Sequence, residues 1–91
     1  MPEPTILTKH PRGKSGKNIA RDKYDAVAAA IREALQGREL THGELMSRVT
    51  GALQGKFEGH ISWYAETVKL DLEARDVIER TASKPERYRL K

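Results

Sequence analysis

Along residues 21–36 the apolar positions Tyr24, Val27, Ala28, Ile31, Ala34 and Leu35 recur at steps of three and four, so they share one face of a predicted helix. Alanines at 26, 28, 29 and 30 raise helix propensity in its middle, and Gly37 stands where a terminating glycine is expected. Arg38-Glu39-Leu40 is too short for a helix and reads as a strand segment able to pair with a C-terminal hairpin. Thr41-His42-Gly43-Glu44 has the spacing of a capping box and opens a second helix, with Leu45, Val49, Ala52 and Leu53 on its buried face and Met46 at the edge. Residues 54–60, with Gly55 and Gly59, form a connection longer than compact helix-turn-helix units use, and Phe57 is expected to pin it to the core. A third helix is predicted over residues 62–75, with Ser62 as N-cap and Ala65, Val68 and Leu72 inward. Asp76 follows as a residue that tolerates the left-handed conformation. The period then changes to two: residues 77–80 and 87–90 read as the strands of a hairpin. Tyr88 and Leu90 point one way, and Arg87, Arg89 and Lys91 form a basic comb on the other.

Before residue 21 no period survives. Residues 1–20 hold three prolines, two glycines and the basic run from Lys9 to Lys17, and read as a flexible or loosely docked arm. Ile6 and Leu7 are the exception there, fit for a short strand or a hydrophobic latch. The expected organisation is an arm over 1–20 and one domain over 21–91, mostly α with a small β-hairpin (α+β).

Composition narrows the function. A chain of 91 residues supports one small core with little room for an active-site cleft. Without cysteine, disulfides and thiolate metal sites are excluded. No apolar run approaches the ~20 residues of a membrane span, and no secretory leader is visible at the start, so the expected location is cytoplasmic. The net charge of +4 is uneven: residues 1–23 carry six basic and two acidic side chains and residues 81–91 four basic and one acidic, whereas residues 62–80 carry three basic and five acidic.

Gly13-Lys14-Ser15 is not a phosphate loop, because position 8 is threonine rather than the required glycine. His10, His42 and His60 lack metal-ligand spacing. No nucleophile, base and carboxylate can be grouped by spacing alone. The expectation is therefore a non-enzyme with no cofactor, no metal and no catalytic residues.

Leu72-Glu73-Ala74-Arg75, one turn-forming residue, two β-branched residues and Glu79-Arg80 resemble the end of the recognition helix and the first wing strand of bacterial winged helix-turn-helix regulators. Ile61-Ser62-Trp63-Tyr64 and His10-Pro11-Arg12-Gly13-Lys14 further resemble a small uncharacterised bacterial family of stand-alone winged-helix proteins. The resemblance implies three helices plus a C-terminal wing, with the third helix in the major groove of duplex DNA and a role in transcriptional control. Carried onto this chain, the groove-facing positions are Ser62, Trp63, Glu66, Thr67, Leu70 and Asp71, with Lys69 on the flank. Phosphate contacts would come from Arg12, Lys14 and Lys17 of the arm and from Lys84, Arg87 and Arg89 of the wing. Glu66 and Asp71 suit a polyanion poorly, and Trp63 and Leu70, seven apart, lie on one side. The alternative expectation is therefore a protein interface, for a homodimer or another partner, built on Trp63 and Leu70. Taken by itself, Trp63 reads first as a partly buried core anchor and only second as an interface residue.

Overall fold

The computed structural model describes residues 5–9, 15–57 and 59–91. Two antiparallel strands, β1 (Thr5–Lys9) and β2 (Ser15–Ala20), lead into helix α1 (Arg21–Leu35). The chain continues through β3 (Leu40–Thr41), α2 (His42–Leu53), α3 (Ile61–Ala74), β4 (Ile78–Arg80) and β5 (Arg87–Leu90). The last three strands form an antiparallel sheet in the order β3-β5-β4, with Leu40 opposite Tyr88 and Ile78 opposite Leu90. The architecture is α+β: three helices packed on one another, with a small sheet at each end of the chain.

The helical faces read from the sequence meet in one core. Val27, Ile31 and Leu35 of α1, Leu45 and Val49 of α2, and Ala65, Val68 and Leu72 of α3 are buried, closed by Leu40, Ile78 and Tyr88 of the sheet. Ala52, expected on the buried face of α2, is exposed, because α2 presents only Leu45, Val49 and Leu53 inward. The capping box at the start of α2 is formed. Thr41 Oγ1 accepts the Glu44 amide at 3.3 Å and Glu44 Oε1 accepts the Thr41 amide at 2.9 Å. Asp76 ends α3 at φ 62°, in the left-handed region expected of it.

Two expectations change. Residues 5–9 and 15–20, expected within a flexible or loosely docked arm with Ile6 and Leu7 fit for a short strand, pair as a ribbon of two strands with Ile6 opposite Ile19. Ile19 is 4% exposed within the core and Ile6 packs against that core. Burial of Ile19 and the partial burial of Ile6 supply free energy that the polar composition alone concealed. The pairing shifts register between Leu7 and Lys9. At that irregularity the buried Thr8 hydroxyl accepts from the Lys17 amide at 2.8 Å and donates to the Lys17 carbonyl at 3.0 Å. The second change is the start of α3: it begins at Ile61 with His60 as N-cap and without a side-chain cap bond, so Ser62 lies inside the first turn.

The connection from α2 to α3 turns on Gly55 (φ 80°) and Gly59 (φ 120°). Phe57 is half-buried and meets the Tyr64 ring edge-on at 5.1 Å between centroids, the pinning expected of it. At Gly59 a Cβ would come within 3.0 Å of Tyr64 Cε2, so backbone angle and close approach both call for glycine.

Candidate functional site: the outward face of the third helix

Helix α3 is held on both flanks, and its flanks explain what its outward face retains. Two steps along a helix rotate a side chain by about 200°, so Lys69 and Asp71 leave α3 on opposite sides.

On one flank Asp71, expected to face a DNA groove, is fully buried. It accepts the Tyr24 hydroxyl from α1, and Arg75 Nε reaches both of its oxygens at 2.9 Å. The spacing of four along the helix brings carboxylate and guanidinium together. Arg75 Nη2 extends to the Leu7 carbonyl at 3.4 Å, tying the ribbon to this side of α3. Burial of the phenol, and then its bond to the carboxylate, push Tyr24 up from 10.0 to about 12.

On the other flank Lys69, expected beside the DNA-reading face, is only 4% exposed. Its ammonium donates to the Tyr88 hydroxyl of β5 at 3.0 Å and sits 3.2 Å from His42 Nδ1 at the start of α2. An ammonium has no acceptor capacity, so Nδ1 accepts and the imidazole proton is on Nε2. Partial burial and the adjacent Lys69 charge hold His42 below its ordinary 6.5, against an opposing pull from Glu66. Lys69 turns inward because its long stem fits the junction of α2, α3 and β5 while its head finds two acceptors there.

Between these flanks lies the outward face of α3. Ser62, Trp63 and Glu66 are exposed, and Thr67, Leu70 and Glu73 are half-buried. Trp63 is 44% exposed and packs edge-on against Tyr64 at 5.0 Å, so it is neither a core residue nor free of support. Behind Tyr64, Lys23 of α1 places its ammonium 5.3 Å from the Tyr64 ring centroid and 5.9 Å from that of Phe57. With Lys69 turned inward, no lysine or arginine of α3 remains on this face.

The hairpin beside the face is basic in sequence but largely paired in structure. Arg89 lies 2.9 Å from Glu39 and 3.4 Å from Glu79. Arg80 bridges Glu73 at 3.1 Å and Glu86 at 3.0 Å, Lys91 reaches Asp76 at 3.2 Å, and Arg87 is 4.0 Å from Glu44. Lys84 at the hairpin turn and Lys17 on the ribbon are exposed. Arg12 and Lys14 lie outside the described residues. The structure thus brings Ser62, Trp63, Thr67 and Leu70 together, and leaves Lys17 apart on the ribbon and Lys84 at the turn.

Sequence reasoning missed Tyr24, His42 and Tyr88 as polar partners. Tyr24 and Tyr88 lie at positions that periodicity assigns to the core, and their hydroxyl partners are 47 and 19 residues away. The spacing of Asp71 and Arg75 was the one local signal for the buried carboxylate.

Among the described residues no group of His, Asp or Glu is arranged to hold a metal ion, and no helix is long and apolar enough to cross a membrane. The chain belongs to a family of unknown function, DUF6958, whose family model matches residues 5–88. No curated protein and no solved structure matches it.

Proposed function

We propose that the chain is a winged helix used for protein interaction, docking a protein partner through the outward face of α3. The winged-helix reading rests on the run of three helices into the β4–β5 hairpin, with β3 paired to β5. The observation that carries the interaction reading is the composition of the exposed α3 face: Trp63 and Leu70 with Glu66 and no cation. A polyanion demands lysine and arginine where its phosphates lie, whereas a partly exposed tryptophan backed by other aromatic rings is the side chain that anchors protein interfaces. The pairing of Arg80, Arg87, Arg89 and Lys91 with carboxylates reduces what the hairpin offers to phosphate.

A photo-reactive amino acid placed at Ser62, beside Trp63, tests the reading in the intact chain. Crosslinks to protein, whether a second copy or another chain, are expected on illumination in cells. Combining the probe with Trp63→Ala and Leu70→Ser should remove them while circular dichroism stays unchanged. Crosslinks to DNA, or none at all, would refute the proposal.

Duplex DNA binding for transcriptional control is the second reading, favoured by the same layout and by the exposed Lys17 and Lys84. It requires retention of duplex at low salt with a log–log salt slope near −0.9 per phosphate contacted. Charge reversal at Arg87 and Arg89 would weaken it for every sequence.

A further inference from the structure

The ammonium of Lys69 is buried where α2, α3 and β5 meet. Its neighbours at hydrogen-bonding distance are His42 Nδ1 at 3.2 Å and the Tyr88 hydroxyl at 3.0 Å. The same ammonium lies 4.2 Å from the Tyr88 ring centroid, and the His42 ring approaches that ring edge-on at 6.5 Å. Three elements are therefore joined through one cation and two aromatic side chains. An imidazole is the side chain whose charge ordinarily changes near neutral pH.

The groups facing His42 come from each neighbouring element: Lys69 and Glu66 from α3, Arg80 from β4 and Tyr88 from β5. Arg80 is itself engaged by Glu73 and Glu86 and stacks over Tyr88 at 5.3 Å. Only Glu66 favours a charged imidazole. Protonation of Nδ1 replaces an acceptor with a donor and sets two cations 3.2 Å apart, with one of them buried. His42 is the first residue of α2 and its ring borders solvent, so it has a path outward that Lys69 lacks.

We propose that His42 is a proton-operated latch: neutral, it locks the β5 side of the hairpin to α2 and α3 through Lys69 and Tyr88; protonated, it swings out and frees that junction. Because the folded chain disfavours the proton, the stabilising effect is present above the ordinary 6.5 and is lost as pH falls from there to the depressed folded value. The hairpin flanks the α3 face, so the latch gives the protein a means of altering the frame of that face on mild acidification.

The test is hydrogen exchange by NMR on the full chain, expressed as protection factors to remove the intrinsic pH dependence of exchange. It is followed beside the imidazole resonance of His42. Protection at the Leu40–Tyr88 and Thr41–Arg87 rungs is expected to fall several-fold as His42 titrates. In His42→Asn, whose amide oxygen supplies an acceptor that does not titrate, protection should stay level over the same range. Lys69→Met should move the His42 midpoint upward. Should that variant fail to fold, wild type and His42→Asn decide alone. Level protection through the wild-type titration, or a wild-type His42 midpoint at or above 6.5, would overturn the latch.

Discussion

Removing the Tyr24 hydroxyl by Tyr24→Phe probes the buried carboxylate at the centre of the fold. The hydroxyl donates to Asp71, which is fully buried and is also held by Arg75. Two routes give the magnitude. A hydrogen bond to an ionised acceptor contributes about 1.5–3 kcal/mol. Independently, the rise of Tyr24 from 10.0 to about 12 corresponds to roughly 2.7 kcal/mol between the protonation states. Burial of the phenol is the largest single cause of that shift, and Arg75 still holds Asp71 in the variant, so the bond itself is expected in the lower half of that range. Tyr24→Phe should therefore cost about 2 kcal/mol at neutral pH, or on the order of 10 °C in Tm for a domain of this size.

The pH dependence supplies the control. A raised folded pKa means full stability below 10, lost as pH climbs toward 12, because the unfolded chain gives up the phenolic proton first. Urea denaturation followed by circular dichroism at pH 7, 10 and 12 should show wild type losing most of its advantage over Tyr24→Phe across that upper range. Every other group is common to both proteins and cancels in the difference. Equal midpoints at pH 7, or curves that fall in parallel above pH 10, would refute the role given to this bond.

Gly59→Ala combines a φ of 120° with a Cβ 3.0 Å from Tyr64 Cε2 and should destabilise by about 1–3 kcal/mol in urea melts; an unchanged midpoint would count against the constraint. Thr41→Ala removes the hydroxyl half of the capping box and should cost about 1 kcal/mol, with exchange rising first in the opening turn of α2. Since Trp63 is the only tryptophan, its emission should shift to the blue when the α3 face is covered by a protein partner; emission unchanged at saturating partner would place the contact elsewhere.

Much of this molecule is legible locally. The spacings of Tyr24 to Leu35, Leu45 to Leu53 and Ala65 to Leu72 specify three helices and their inward faces, and Thr41 and Glu44 specify a start, because helix periodicity and capping are short-range. The β4–β5 hairpin and the Asp76 turn that precedes it are likewise written within a few residues. The candidate face was half legible: Trp63 and Leu70 follow from a seven-residue spacing. Lys69 and Asp71 on either side were placed wrongly, since nothing nearby in sequence shows that Tyr24, His42 and Tyr88 would give their polar ends a buried destination.

The sequence by itself determined the helices, the capping box of α2, the C-terminal hairpin and the α+β class, all of them consequences of short-range pattern. Only the tertiary structure decided that residues 5–9 and 15–20 pair as a ribbon anchored by Ile19, that Asp71 and Lys69 turn inward, and that the basic hairpin spends its arginines on Glu39, Glu73, Glu79 and Glu86. The physical reason is common to all three: whether a side chain faces water or the interior depends on partners many residues away, apolar ones for Ile19 and polar ones for Asp71, Lys69 and the arginines, and chain folding alone brings those partners into contact.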